Sequence, residues 1–243
     1  MLIIKLNAID STNSYLRQLC NEKVIEDYTV VTANHQTQGR GQMGTIWDSE
    51  KGKNLMCSVF TNSVNIPIEQ QFYISIATSL ALIKTLQAFN VPKLNVKWPN
   101  DILAENKKIC GILIENVIKH QEIEGTIIGI GLNVNQRSFK NLPNASSMKE
   151  LTGVVFNLDE LLQAIVSNLK FYFNLLLKGK YSKLKKEYER YLFRKGKPST
   201  FKLETNEIFP GFIEGVNEQG KLIIRLEDDV LKTFDLKEIQ LLY

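Results

Sequence analysis

One run constrains the fold more than any other. Glu69 to Phe89 is long and mostly apolar, and its length and spacing predict a helix packed across a sheet. Strand-like runs flank it on both sides in the sequence. Leu2 to Leu6, Tyr28 to Ala33 and Leu55 to Thr61 come before it. Asn95 to Trp98, Lys108 to Val117 and Thr126 to Val134 follow, the second after a polar turn. Strands on both sides of one long helix favour an α+β architecture, a mixed β-sheet with helices packed on one face. Asp10 and Ser11 read as caps of a short helix carrying Tyr15 to Leu19. Leu158 to Leu177 and Tyr181 to Phe193 are helical by periodicity. The lysines at 178, 180, 183, 185 and 186 read as their solvated face.

The pattern changes at Lys195-Gly196-Lys197-Pro198. Short alternating runs then follow, broken by turns at Asn217-Glu218-Gln219-Gly220 and Glu227-Asp228-Asp229. This spacing describes a small SH3-like β-barrel, giving a main domain over residues 1–195 and a barrel over 196–243. Some fifty residues stabilise a core poorly alone, so the barrel is expected to dock on the main domain.

Composition narrows the chemistry. Thirty basic and 26 acidic residues leave a net charge of only +4, too little to argue for nucleic acid but suited to an anionic small ligand or an acidic protein partner. Cys20, Cys57 and Cys110 cannot all pair and lack zinc-ligand spacing, so they are expected as reduced thiols of a cytoplasmic protein. His35 and His120 are the only histidines, which leaves a histidine-based metal site or a Ser-His-Asp triad poorly supported. No apolar run is long enough to span a membrane.

The chemistry concentrates in glycine-rich segments at strand ends. Gly39-Arg40-Gly41-Gln42-Met43-Gly44 follows a strand and a polar step. Its glycines let the backbone approach a ligand, and Arg40 offers a fork of donors suited to carboxylate or phosphate. It is neither a Walker loop nor a dinucleotide fingerprint, since the lysine of the first and the glycine spacing of the second are missing. Lys97-Trp98-Pro99-Asn100-Asp101 ends a strand at a proline. Lys108 opens an apolar strand that Gly111 keeps bare, and Gly129-Ile130-Gly131-Leu132-Asn133 closes another.

These segments, in this order and together with Asp10-Ser11-Thr12-Asn13 and the Gln36-to-Trp47 stretch, resemble the biotin–protein ligases over nearly the whole chain. The resemblance implies the class II aminoacyl-tRNA synthetase-like fold of biotin and lipoate ligases. It implies a two-step reaction: biotin and ATP, with Mg²⁺, give biotinyl-5′-adenylate, and a lysine of a biotin carboxyl carrier domain then takes the biotin. It makes Arg40 and Lys108 the catalytic candidates. Biotin would be held by Ser11, Thr12, Asn13, Gln36, Gly39, Arg40, Gly41, Gln42, Trp47, Lys108 and Gly111. ATP and the adenylate would meet Arg40, Lys97, Asn100, Lys108, Asn133 and Phe139, with Asp101 as a metal candidate and Trp98 as a second pocket wall. The stretch Asn135 to Met148 resembles a loop that folds over the adenylate.

The chain also departs from the family pattern. Gln42 stands where many members carry a second basic residue, and Thr45 and Ile46 replace further basic positions. Leu242 lies near the place of an arginine that assists ATP in some members. The resemblance begins at the catalytic domain, so a form without the DNA-binding helix-turn-helix is expected, with no DNA partner. A homodimer through an exposed strand edge is a candidate assembly. Two rival readings are a lipoate–protein ligase and a non-catalytic biotin- or adenylate-binding module.

Overall fold

The computed structural model describes residues 2–62, 66–119, 122–140 and 142–243, so His120 and Asn141 lie outside the described residues. Seven strands form one mixed sheet: β1 (Ile3–Leu6), β2 (Thr29–Ala33), β3 (Leu55–Thr61), β4 (Leu94–Lys97), β5 (Asp101–Ala104), β6 (Lys107–Lys119) and β7 (Glu122–Leu132). Their order is β1-β2-β3-β7-β6-β5-β4. Only β1 and β2 run parallel; the other neighbours are antiparallel.

The expected long helix is α2 (Phe72–Ala88). It is apolar nearly all round because it lies between the sheet and α4 (Leu158–Leu177). Asn157 caps α4 by accepting from Asp159 N and Glu160 N, and those two acids suit the positive end of the helix. The last helix, α5 (Tyr181–Tyr191), packs on α2.

Period-two alternation in the strands sorts the two faces. Val30, Cys57, Val59 and Ile128 join the core under α2 and α4, whereas Val31, Phe60 and Ile127 join a smaller core with Leu16 and Leu19 of α1 (Thr12–Glu22). The long helices thus share one face, as expected, and the short α1 lies on the other. The segment after Pro99 is also more than a polar turn: β5 pairs with both β4 and β6 there.

The C-terminal part is a five-stranded antiparallel sheet of β8 (Pro198–Leu203), β9 (Ile208–Val216), β10 (Leu222–Arg225), β11 (Leu231–Phe234) and β12 (Ile239–Leu242), in the order β11-β10-β9-β8-β12. Phe201, Phe209 and Phe234 stack along its interior. Its core residues Phe201, Ile213, Val216 and Ile224 belong to the same buried cluster as α2 and α4, so it is docked on the main domain. The connecting segment is tied at both ends by main-chain bonds, Phe193 N donating to Val96 O of β4 and Gly196 N to Ile213 O of β9. No helix among the described residues is long and apolar enough to cross a membrane.

Candidate active site

A cavity of about 520 Å³ opens on the α1 side of the sheet, within the size range of small-molecule sites. Cross-strand register builds its floor. Ser58, Gly129 and Leu113 line up across β3, β7 and β6; one step along, Gly131, Gly111 and Asp101 line up across β7, β6 and β5. Above the glycines of these two rows lie Asn13 and Trp47. A Cβ on Gly129 would stand 2.4 Å from Asn13 Oδ1. One on Gly131 would stand 2.5 Å from Trp47 Cε2, and one on Gly111 2.9 Å from Trp47 Cζ3. Gly111 therefore makes room first for the chain's own indole, which then forms a cavity wall.

The loop after β2 is a small hairpin. Gly41 N donates to Thr45 O (2.7 Å) and Trp47 N to Gly39 O (2.9 Å), with a 3-10 turn at Gln42–Gly44 between them. Gly39 is the one candidate that this arrangement leaves off the cavity surface. A Cβ there would stand 2.3 Å from Trp47 O and 3.1 Å from Gln36 Nε2, so Gly39 closes the hairpin neck and lies behind the cavity lining.

The N-terminus of α1 supplies neutral polar groups. Ser11 is the N-cap, its Oγ accepting from Ser14 N, and Thr12 donates through N (2.8 Å) and Oγ1 (3.0 Å) to Gln36 Oε1. Ser11 thus caps a helix and lines the cavity at once. Ser58 lies 2.7 Å from Thr12 Oγ1 and 2.5 Å from Asn13 Oδ1, its one proton serving either. Asn13 Nδ2 donates to Glu115 Oε2 at 2.7 Å. Glu115 also receives Arg40 at 3.1 Å and Arg17 at 3.2 Å.

At the other end are two lysines. Lys108 Nζ lies 2.7 Å from Asp101 Oδ1, outside hydrogen-bond geometry, and 5.6 Å from the centre of the Trp47 ring. Burial holds the Lys97 ammonium below the ordinary lysine value, with Asp101 opposing and Lys108 adding to the effect. Lys97 Nζ sits 4.6 Å from the ring centre of Tyr243, which the C-terminal sheet brings to the cavity. The described residues contain no cluster of three His, Cys, Asp or Glu side chains that could bind a metal by themselves. Asp101, paired here with Lys108, is a lone carboxylate that could meet an ion only together with phosphate oxygens.

Two amides bind protein rather than standing free. Asn100 Nδ2 donates to Ile112 O and Asn133 Nδ2 to Ser146 O. The second bond, with Lys108 N to Asn144 O and Ser146 N to Lys108 O, pins the 135–148 loop beside Lys108. Phe139, Leu142, Pro143, Asn144 and Ala145 of that loop line the cavity. Trp98, read as a second wall, turns away and donates from Nε1 to Gly220 O (2.8 Å) in the C-terminal sheet.

The structure thus gathers Ser11, Thr12, Asn13, Gln36, Arg40, Gly41, Gln42, Trp47, Lys97, Asn100, Asp101, Lys108, Gly111, Asn133 and Phe139 around one cavity. Sequence reading missed Ser58, Glu115, Asp48 and Tyr243. Only Ser58 carried a signal, a lone small polar residue inside the apolar run Leu55–Phe60.

The likenesses to known proteins agree with this geometry. Residues 6–133 match the Biotin/lipoate A/B protein ligase family. The chain is 27% identical over 238 residues to the bifunctional ligase/repressor BirA of Bacillus spizizenii, covering 96% of this chain and 72% of that protein. It is 33% identical over 144 residues to the biotin–[acetyl-CoA-carboxylase] ligase of Mycobacterium tuberculosis, covering 58% and 52%. The biotin protein ligase of Aquifex aeolicus, solved in complex with biotin and ATP, superposes with a TM-score of 0.83 at 25% identity, covering 99% of this chain and 98% of that one. By the family match over more than half its length, this chain belongs to the biotin/lipoate A/B protein ligases.

Proposed function

We propose that the chain is an ATP-dependent biotin–protein ligase that makes biotinyl-5′-adenylate and passes the biotin to a lysine of a biotin carboxyl carrier domain. The observation that carries this reading is one cavity that joins uncharged hydrogen-bonding groups at Ser11, Thr12, Asn13 and Gln36 to cations, Arg40 close to Asn13 and Lys97 and Lys108 at the far end. A ureido ring offers one acceptor and two N–H donors, which hydroxyls and amides can match. A buried group left unpaired by a look-alike ligand costs about 1–3 kcal/mol, enough for selectivity.

The three cations suit the joining of two anions. In the first step a biotin carboxylate oxygen attacks the α-phosphorus of ATP, and the bond to the β-phosphate bridging oxygen breaks to release pyrophosphate. Negative charge grows on the α-phosphate oxygens, where Arg40 and Lys108 would stabilise it, with Lys97 toward the phosphates. Mg²⁺ would arrive with the nucleotide as part of the substrate. In the second step a neutral lysine amine attacks the activated carbonyl and AMP leaves. Positioning and electrostatics suffice, so no activated Cys or His is needed. The buried thiol of Cys57, pushed up to about 12 by burial, has no nucleophilic role in this scheme. Free thiols at Cys20, Cys57 and Cys110 and the use of ATP fit a cytoplasmic setting, and a homodimer through a sheet edge remains part of the reading.

Pyrophosphate exchange into ATP tests it, with biotin and lipoate compared, followed by transfer to a carrier domain. Biotin-dependent exchange and biotinylation are expected. Exchange with lipoate alone would make the chain a lipoate ligase, and binding without any exchange would make it a non-catalytic module.

A further inference from the structure

We propose that Glu115 is a positioning residue for adenylation, one carboxylate that both orients the Asn13 amide and holds the Arg40 guanidinium beside it. This rests on the biotin-ligase reading above. Glu115 is absent from the cavity lining, so it would act through the residues it holds rather than on substrate.

Its surroundings leave it little freedom. The side chain is only 18% exposed. Oε2 takes Asn13 Nδ2 at 2.7 Å and Arg40 Nη2 at 3.1 Å, while Oε1 takes Arg17 Nη2 at 3.2 Å and Arg40 Nη2 at 3.3 Å. One carboxylate thus meets two guanidiniums and an amide.

Two consequences follow from its chemistry. A carboxylate only accepts, so it can face only the NH₂ side of Asn13. With Leu113 O accepting from the same Nδ2 at 3.4 Å, that fixes the amide with Oδ1 turned toward Ser58 and the space that Gly129 leaves open. Beyond the Ser58 hydroxyl, Oδ1 keeps a second lone pair, an acceptor of the kind a ureido N–H would use. Arg40, for its part, is a long side chain on a glycine-flanked hairpin. Glu115 ties its Nη2 to β6 and leaves Nε and Nη1 without a protein partner among the described residues. These remaining donors are free for an anionic ligand. The contacts run without a break from Gln36 through Thr12, Ser58 and Asn13 to Glu115 and Arg40. The groups proposed for the two substrates therefore share one network, whose members are expected to couple.

The test uses the full chain with Glu115→Gln and Glu115→Ala. The readouts are biotin affinity without ATP, kcat and KM for biotin-dependent pyrophosphate exchange, and melting temperature. Gln keeps the size and an acceptor for Asn13 but loses the charge that holds Arg40. It is expected to lower kcat about tenfold while changing biotin Kd less than about threefold. Ala removes both contacts and is expected to weaken biotin binding about tenfold as well. In an Arg40→Gln background, Glu115→Gln is expected to have no further effect on kcat. The proposal is overturned if both variants keep kcat and biotin Kd within about twofold of the unmodified chain. It is equally overturned if Glu115→Gln lowers kcat by the same factor with and without Arg40, or if both variants lose activity only in step with melting temperature. An unmodified chain that neither binds biotin nor catalyses exchange would instead sink the biotin-ligase reading itself.

Discussion

Replacing Gly131 by alanine asks whether the sheet seats the Trp47 wall. The new Cβ would lie 2.5 Å from Trp47 Cε2 and 2.8 Å from both Cζ2 and Nε1. Carbon atoms rest about 3.5–4.0 Å apart, so the indole must retreat by about 1 Å. Its backbone cannot easily follow, because Trp47 N is bonded to Gly39 O and Trp47 O already crowds the Gly39 position. Overpacking of this kind costs about 1–3 kcal/mol. For a chain of this size that is a fall in melting temperature of about 2–12 °C. Gly111→Ala meets the same ring less closely, at 2.9 and 3.4 Å, so its fall is expected to be smaller. Trp47→Phe shrinks the fused ring, removing the Nε1 side that the new methyl strikes, and is expected to recover part of the loss when combined with Gly131→Ala. Scanning calorimetry on the three variants gives the order. A Gly131→Ala melting temperature within about 1 °C of the unmodified chain, or a larger loss in Gly111→Ala, would refute the account of the wall.

Two further outcomes are expected. Lys108→Ala removes a cation from the charged end and a half-exposed ion pair with Asp101. It is expected to slow pyrophosphate exchange about 10²–10³-fold while costing no more than about 1 kcal/mol of stability; matched losses of both would make Lys108 structural. Burial pushes the Cys57 thiol up to about 12, so it stays neutral as pH rises through the ordinary thiol range. At pH 8 about one molecule in 10,000 carries the thiolate, and alkylation of the folded chain should mark Cys20 well before Cys57. Mass spectrometry showing equal labelling before denaturation would contradict the burial of Cys57.

The cavity also explains why the C-terminal sheet is docked so firmly. The Lys97-Trp98 dipeptide serves both parts at once. Lys97 lines the cavity under Tyr243, and Trp98 bonds to Gly220, whose backbone lies against Phe72 of α2. A residue read as a pocket wall is in fact the bolt between the two sheets.

The sequence by itself determined what depends on near neighbours along the chain. Short apolar runs marked β2, β3 and β6, alternation marked β7, continuous apolarity marked α2, and Ser11 announced the start of α1. Glycine and charge placed most of the cavity residues in a handful of short segments, because backbone exposure and cationic type are local properties. β5 was not legible, since four residues behind a proline and two polar side chains carry too short an alternation to read. Only the tertiary structure decided which distant residues meet. Register across the sheet puts Gly111 beside Gly131 and Asp101, so Trp47 lies against the glycines and Lys108 finds a carboxylate. Packing of α1 on the sheet brings Asn13 to Glu115 across 102 positions of sequence, and nothing in the run Gly111–Glu115 distinguishes that glutamate from a solvent-facing one. A side chain's type is written in the sequence, but its partner is set by strand order and by the face on which each helix lands.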